Sequence, residues 1–399
     1  MRGTLPQVIA LGTAQTIAWA SSTYLPAILA KPIALELGIS TSAVFGAFSL
    51  SLVVMALAGP PVGRAIDRAG GRGVLALSNL VLAAGLVALG LAGNAIGLYA
   101  AWLVLGLGMA MGLYDAAFAA LVWLHGPQAR SPITGITLIA GFASTVGWPL
   151  TAYLAEHYGW REACYAWAGL NLLVCLPLNL WCLTGRSHKS LLPQETASDR
   201  KSPPVEAPQQ DDRRTFILLA LWFAATAFVT SAMAAHLPRL LLATGATTVA
   251  ALTASALLGP AQVAARLAEF LAARRFRFHP LLTALLATAC HPIGGLILAI
   301  FGGVPVAAST FAVVHGAGNG MITIAKGTLP LAIFGPAGYG YRQGLLAILA
   351  RAMQALAPFA FGVTMESLGT LWAIILSGGL SMVALAALLW LGRPNGESA

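Results

Sequence analysis

Long apolar runs alternate with short polar breaks along the whole chain. Each run has about 20 residues or more, enough at about 1.5 Å per residue to cross roughly 30 Å of hydrocarbon as an α-helix. The apolar positions do not alternate with period two, so the pattern predicts spanning helices and not the strands of a barrel. We name the twelve runs segments 1 to 12, at approximately residues 7–31, 41–62, 73–93, 95–121, 132–155, 161–183, 215–241, 247–271, 280–301, 304–327, 342–364 and 369–391.

Composition agrees with an all-α integral membrane protein. Of the 399 residues, 58% are hydrophobic and only 9% are charged, which a water-soluble domain of this length would not tolerate on its surface. Arg2 precedes segment 1 as in a signal peptide, but the apolar run continues to Ala30. That run is too long for an ordinary signal, so segment 1 is predicted to be retained.

The segments fall into two groups of six. Residues 184–214 are polar, Pro-rich and charged, which is typical of a flexible linker. They separate a predicted bundle at 1–183 from a second at 215–399. Short patterns recur between the halves at nearly constant offsets: GLGMAM at 106–111 returns as GAGNGM at 316–321, and Leu25-Pro26 as Leu237-Pro238. This recurrence predicts two pseudo-symmetric six-helix bundles.

Lys and Arg lie mainly in the loops on one side of the predicted membrane. With the N-terminus inside, the outer loops carry only Lys31, Arg161 and Arg239. The positive-inside rule therefore predicts a multi-pass protein of the inner (plasma) membrane with both termini cytoplasmic. The net charge of +9 then reflects orientation beside anionic lipid and predicts no nucleic-acid partner.

The most charged short stretch, GRAIDRAGGR at 63–72, follows segment 2. It resembles the G-x-x-x-D-R-x-G-x-R loop of the major facilitator superfamily in its charges, its glycine spacing and its position. The resemblance implies a secondary active transporter that works by alternating access as a functional monomer, without a cofactor. It also implies that Asp67 lies near the N-terminus of segment 11, while three arginines hold the loop. These are Arg64, Arg68 and Arg72.

A shorter resemblance points to the bacterial relatives of the monocarboxylate transporters. It rests on ILAKPI at 28–33, which contains Lys31, and on AQVAAR at 261–266. That family carries Asp-x-x-x-Arg in segment 8, where the arginine holds the substrate carboxylate and the aspartate takes the proton. Arg266 matches the arginine, but Gln262 replaces the aspartate, so carboxylate recognition is retained better than proton coupling.

Charges inside the segments are costly and mark functional candidates. Arg266 either binds a substrate carboxylate through its planar fork or pairs with Glu269 one turn on. Asp115 in segment 4 and Arg351 in segment 11 could form an ion pair that closes the cytoplasmic side, or could pack statically. Lys326 in segment 10 competes for the same carboxylate.

Four further polar side chains are predicted to face a central cavity, because segments 1, 4, 7 and 10 line it in the family that the chain resembles. Ordinary packing is the alternative for each histidine. Met233 and His236 could begin a soft metal site, but no second ligand pair accompanies them, so no metal is predicted. The four candidates are Tyr24, His236, His315 and Asn319.

These features predict a transporter of a small organic anion, such as a monocarboxylate, with or without a proton. The alternative is an exporter of drugs or other toxic amphipathic compounds, which would favour a more aromatic and less cationic cavity. An intramembrane enzyme is not predicted, because the segments show neither a nucleophile beside a base nor a phosphate-binding Gly-x-x-x-x-Gly-Lys-Ser/Thr loop.

Overall fold

The computed structural model describes residues 4–183, 210–302 and 304–392, and its regular structure there is entirely helical. Most of the predicted linker and residues 393–399 lie outside these ranges. Segment 7 begins earlier than predicted, at Gln210, so the helix includes the last residues assigned to the linker. The second half contains one helix per segment: Gln210–Ala243, Thr248–Phe276, Pro280–Phe301, Pro305–Phe334, Tyr339–Ser367 and Thr370–Leu391.

In the first half, segments 2 and 3 are the continuous helices Thr41–Ala69 and Gly71–Gly90. Segments 1, 4, 5 and 6 are interrupted. Segment 1 is Thr4–Ala20 and Pro26–Leu37, segment 4 is Ala95–Gly112 and Tyr114–His125, segment 5 is Arg130–Ala140 and Ala143–His157, and segment 6 is Trp160–Leu170 and Leu176–Cys182 joined by the π-helical turn Asn171–Cys175.

The interruption of segment 1 has a local cause. The Ser22 hydroxyl donates to the Ala18 carbonyl oxygen at 2.5 Å, and the Tyr24 amide donates to the Trp19 carbonyl oxygen at 3.1 Å, one residue further back than in an α-helix. Pro26 has no amide hydrogen and starts the next helix. Residues 21–25 therefore leave the helix, and Tyr24 lies in the gap.

Nine helical stretches among the described residues are long and apolar enough, by length and composition, to cross a membrane. One of them, Ala95–His157, contains both segment 4 and segment 5. Segment 1 is not counted because its two pieces have 17 and 12 residues. Segment 10 is not among the nine stretches either. This helix of 30 residues carries the polar side chains of His315, Asn319 and Lys326.

Segment 2 extends past its predicted end at residue 62 and continues to Ala69. Arg64, Asp67 and Arg68 are therefore in its last turns and not in a loop. The helix ends at Gly70, whose φ of 84° is a conformation that favours glycine. Its polar last turns can stay helical because the Asp67 carboxylate is held by the neighbouring bundle, as described below.

The two bundles contact each other mainly at one end. Thr41–Ala69 packs against Tyr339–Ser367, and Arg130–Ala140 packs against Thr248–Phe276 and Pro305–Phe334. Leu331 and Tyr339 of the second bundle join a hydrophobic cluster of the first. We call the end that carries residues 63–72, 126–130, 272–279 and 335–338 the basic end. The structure is a state in which the basic end is closed.

Glycines of segments 4 and 10 repeat the same packing within each bundle. A Cβ on Gly106 would lie 2.5 Å from the Ser51 carbonyl oxygen of segment 2, and one on Gly316 would lie 2.7 Å from the Leu258 carbonyl oxygen of segment 8. These positions are related by the offset of 210 between the two glycine motifs. Each pair of segments is therefore tightly packed inside its own bundle.

Candidate substrate and gating site

Arg266 is the central charged side chain of the site, with only 5% of its surface exposed. Its Nη1 donates to the Thr137 carbonyl oxygen of segment 5 at 2.9 Å, and thus reaches across to the other bundle. Its Nε donates to the Gly320 carbonyl oxygen at 3.3 Å, and its Nη2 to the Thr323 hydroxyl at 3.3 Å. Among the described residues no carboxylate forms an ion pair with Arg266.

Three helix interruptions lie in this part of the first bundle, and one of them meets the guanidinium. The gap in segment 5 is at Gly141, where an added Cβ would lie 2.7 Å from Arg266 Nη1. Tyr24 lies in the gap of segment 1, and Tyr114 directly follows the gap of segment 4 at Leu113. Segment 1 also contacts segment 5 next to the gap at Gly141, where the Thr16 hydroxyl donates to the Ile139 carbonyl oxygen at 3.3 Å. Non-helical backbone at this depth is tolerated where it is buried in protein or lines a cavity, and it marks binding sites in transporters.

The alternative partner predicted for Arg266 is wrong. Glu269 pairs with Arg130 at the start of segment 5, with 3.1 Å between Arg130 Nη2 and Glu269 Oε1. The same Glu269 oxygen accepts from the Thr283 hydroxyl at 3.1 Å. Arg130 also donates to the Phe278 carbonyl oxygen. Glu269 and Arg130 thus make a second contact between the bundles, one turn nearer the basic end than Arg266.

Asp115 is held from the other bundle by segment 11. Arg351 Nη2 donates to Asp115 Oδ2 at 2.9 Å, and Gln343 Nε2 donates to Asp115 Oδ1 at 3.3 Å. Both charged side chains are largely buried, with exposed fractions of 15% for Arg351 and 23% for Asp115. The competing cation, Lys326, instead has its Nζ over the Phe223 ring, 5.5 Å from the centroid.

Asp67 caps the start of segment 11. Its two carboxylate oxygens accept from the backbone amides of Gly340 and Tyr341, each at 2.8 Å. Both amides belong to the first turn of Tyr339–Ser367, where free N–H groups and the helix dipole favour a negative charge. Arg64 lies over the Tyr341 ring at 4.0 Å.

The other two arginines of this motif have separate surroundings. Arg72 Nε donates to the Leu180 carbonyl oxygen of segment 6 at 2.9 Å, within the first bundle. Arg68 is exposed. Asp67 and Arg64 therefore contact the other bundle, whereas Arg72 holds the adjacent loop to its own.

His315 and Asn319 do not face an open cavity as predicted. They are 1% and 6% exposed and lie between segments 7, 9 and 10. Asn319 Oδ1 accepts from the Thr230 hydroxyl at 2.9 Å and contacts His291 Nε2 at 3.1 Å. The rings of His291 and His315 stack with 4.5 Å between centroids. Helical spacing placed the two residues on one face, but bundle packing turns that face toward segment 9.

Two of the remaining predicted candidates, His236 and Lys31, do not contact Arg266 in the structure. His236 Nε2 lies 2.8 Å from the Pro358 carbonyl oxygen, and its ring packs on Phe361 of segment 11. Lys31 is exposed in the short helix Pro26–Leu37. Neither residue has a described contact with the guanidinium, whereas Tyr24 lies in the gap of segment 1, and this segment contacts segment 5 near Gly141.

Sequence reasoning missed Tyr114, Arg130, Glu269 as a partner of Arg130, and His291. Arg130 counted only as a basic loop residue, and Tyr114 as part of an apolar run. For Tyr114 a signal was available in the sequence. Tyr114 and Asp115 form a polar pair inside an apolar run, shortly after the glycine motif of segment 4.

Comparison with known proteins gives one family and two similar folds. A model of the Major Facilitator Superfamily matches residues 11–309. The human organic anion transporter MFSD10 (TETRAN) superposes with a TM-score of 0.73 at 17% identity, over 96% of this chain and 99% of that one. The E. coli fucose:proton symporter FucP gives 0.71 at 13% identity, over 98% and 100%.

A curated relative from Thermoproteus tenax, described as an uncharacterized 38 kDa protein in a 23S RNA operon, is 31% identical over 176 residues. The match covers 44% of this chain and 46% of that protein, so the chain spans about half the length of this relative.

Proposed function

We propose that this chain, which belongs to the Major Facilitator Superfamily and is a membrane transporter rather than an enzyme, carries a small organic anion by alternating access. The observation that carries this proposal is the buried guanidinium of Arg266, which lies against the gap of segment 5 and, among the described residues, is hydrogen-bonded to neutral oxygens only. A buried cation without a counter-ion is costly in hydrocarbon, so a carboxylate on the substrate would stabilise the site.

Arg266 is suited to an anion by its chemistry as well as its place. A guanidinium stays protonated and presents parallel N–H groups that match the two oxygens of a carboxylate. The similar fold of MFSD10 is named as an organic anion transporter, which supports the same substrate class. A monocarboxylate is the simplest ligand that would balance the single charge of Arg266.

Substrate binding would also loosen the closed end. Arg266 Nη1 donates to the Thr137 carbonyl oxygen of the opposite bundle, and that oxygen already accepts from the Gly141 amide at 3.0 Å. A carboxylate that takes over the guanidinium would therefore remove one link between the bundles and leave Thr137 satisfied. Differential binding of this kind is what shifts a transporter between its two states.

Asp115 is our candidate for proton coupling, because Gln262 beside Arg266 cannot titrate. Protonation of Asp115 would remove its ion pair with Arg351 and weaken the closed state at the same time. FucP, which has a similar fold and is named as a fucose:proton symporter, supports this proposal.

The basic end would face the cytoplasm, with the protein in the inner membrane and both termini inside, by the positive-inside rule. The net charge of +9 would then reflect this orientation and not a nucleic-acid partner. The substrate would be a small molecule, and the pair of bundles would act as a monomer. Insertion of a reporter enzyme in the predicted linker, at residues 184–209, tests this orientation, and external reporter activity would contradict it.

Uptake into liposomes tests the function. We expect liposomes that contain the protein to accumulate labelled monocarboxylates. If Asp115 carries a proton, a proton gradient directed into the liposomes should change the rate of uptake. The panel should include cationic amphipathic drugs, since the drug exporter is the competing hypothesis. Drug movement without carboxylate movement would replace the organic-anion proposal by that alternative.

Replacing Asp115 by Asn should shift the protein toward states open at the basic end. The substitution removes the charge that Arg351 and Gln343 hold across the bundles, with an effect of about 1–3 kcal/mol for coupling of this kind. Labelling of Ala347→Cys, which lines a small cavity together with Asp115, should become faster. Glu366→Gln is the matched control, because it breaks the exposed Arg239–Glu366 pair inside the second bundle. Equal labelling in Asp115→Asn and wild type would remove Asp115 from the gate.

Replacing Asp67 by Asn should slow transport strongly and leave substrate affinity unchanged. Asn keeps one acceptor, but its NH₂ group would face a backbone amide of segment 11, and the charge at the helix terminus is lost. The measurement compares the exchange rate between states with equilibrium binding of a carboxylate. Arg68→Gln is the control, since Arg68 is exposed in the same turn. A loss of affinity with normal exchange would contradict this role.

A further inference from the structure

A chain of aromatic rings runs through the first bundle across the gaps of segments 1 and 4. The Trp148 and Tyr24 rings meet edge to face at 5.8 Å between centroids, and Trp19 lies 6.1 Å from Tyr24. Trp19 in turn lies 4.9 Å from Tyr114, which follows the gap of segment 4. These four rings, from segments 1, 4 and 5, form what we call the aromatic wall. Segment 1, which carries Trp19, contacts segment 5 through the Thr16 hydroxyl and the Ile139 carbonyl oxygen at 3.3 Å, two residues before the Gly141 that meets Arg266.

The aromatic wall contains polar atoms without partners. Among the described residues, the Trp19 indole N–H and the Thr23 hydroxyl are buried and meet no hydrogen-bonding partner. A buried donor without an acceptor is unfavourable, because it has lost its hydrogen bond to water. Trp19 is the last residue but one of the helix Thr4–Ala20, directly before the interruption of segment 1, and Thr23 lies inside that interruption. The unmet N–H thus lies at the gap of segment 1 and the Arg266 guanidinium at the gap of segment 5. A ligand that reaches both, accepts hydrogen bonds and carries negative charge would satisfy the two groups.

We infer that the transported anion is an aromatic monocarboxylate, whose carboxylate binds Arg266 and whose ring packs against Trp19 and Tyr24 of the aromatic wall. This inference rests on the proposed function and narrows its substrate class. Aromatic pairs at centroid distances of 4.5–7 Å gain stabilisation beyond the area that they bury, in edge-to-face or offset geometry. A flat ring bearing one carboxylate matches both halves of the site.

The same geometry disfavours the other ligand classes. The electron-rich ring faces attract cations, but the Arg266 charge repels them, so a cationic drug would gain at one side of the site and lose at the other. A neutral aromatic compound would leave Arg266 without a counter-ion. A short aliphatic acid would pair with Arg266 and leave the aromatic wall uncovered.

Equilibrium binding to purified protein in nanodiscs tests the inference with four probes: benzoate, cyclohexanecarboxylate, acetate and benzamide. We expect benzoate to bind about three- to tenfold more tightly than cyclohexanecarboxylate, which has the same charge but no flat ring. Acetate should bind more weakly than both, and benzamide, which has the ring without the charge, should bind least.

Trp19→Leu should remove the preference for benzoate over cyclohexanecarboxylate and leave acetate binding unchanged. Trp372→Leu is the matched control, because Trp372 is 55% exposed on segment 12 and should leave every affinity unaltered. A thermal melt of both variants confirms folding, and the wild-type panel decides the question independently of either variant.

The outcomes separate this inference from the function on which it rests. Equal affinities for benzoate and cyclohexanecarboxylate in wild type would overturn the aromatic substrate and leave the organic-anion proposal in place. Benzamide binding as tight as that of benzoate would overturn the inference by showing that the charge is not read. Binding of no carboxylate at all would overturn both.

Discussion

Arg266→Ala is expected to abolish carboxylate binding while the protein stays folded. The substitution removes the buried cation that we propose as the partner of the substrate, and loss of one member of a buried charge pair costs about 3 kcal/mol, on the order of 100-fold in Kd. Arg266→Lys keeps the charge but loses the planar fork, so it should bind more weakly than wild type and more tightly than Arg266→Ala.

The fold should survive because Arg266 leaves few unsatisfied groups behind. The Thr137 carbonyl oxygen still accepts from the Gly141 amide, and the Thr323 hydroxyl still donates to the Asn319 carbonyl oxygen at 3.0 Å. Binding of a labelled carboxylate and a thermal melt, both on purified protein, measure the two effects. Arg274→Ala is the matched control, since Arg274 is exposed on the same helix two turns on.

Unchanged carboxylate binding in a folded Arg266→Ala variant would end the organic-anion proposal. In that case the aromatic wall, and not the Arg266 cation, would be the part of the site that binds substrate. The drug-exporter hypothesis requires such an aromatic and less cationic cavity. The same variant therefore separates the two transporter classes that the sequence left open.

The spanning segments could be predicted from the sequence because length and apolar composition are local properties. Their interruptions could not. An apolar run that leaves the helix for residues 21–25 has the same hydropathy as one that continues, and only Ser21 and Ser22 hint at competing hydrogen bonds. The gap of segment 4 lies directly before Tyr114, which packs against Trp19 of segment 1, a contact that no window of sequence contains.

Charged positions divide in the same way. Asp67 and Arg266 could be singled out because a charge in apolar surroundings is visible in the sequence. The partner of Glu269 could not be predicted: Arg130 lies 139 residues away, and the sequence offered Arg266 as a nearer cation. His315 and Asn319 show the limit of helical spacing, since it places residues on a common face but does not say which neighbour that face meets.

Glycines of segments 2 and 11 bring the backbones of the two bundles into close contact. A Cβ on Gly344 would lie 2.6 Å from the Gly59 carbonyl carbon, and a Cβ on Gly63 would overlap the Gly340 carbonyl oxygen. Backbone atoms cannot yield as a flexible side chain can, so this contact requires that both positions lack a side chain. The Asp67 bonds to Gly340 and Tyr341 lie directly beside this crossing and depend on it.

Gly63→Ala should therefore prevent full closure of the basic end. Alanine favours a helix over glycine by about 1 kcal/mol, so the substitution should not weaken segment 2 itself, and any loss must come from the overlap with Gly340. We expect faster maleimide labelling of Ala347→Cys, in a background with Cys290→Ser, and transport reduced at least as strongly as in Asp67→Asn. Gly73→Ala is the matched control, because no atom lies within 4 Å of its added Cβ. If Gly63→Ala showed labelling and transport equal to wild type, closure of the basic end would not require the Gly63–Gly340 contact. The closed state described above would then not be a state of the transport cycle.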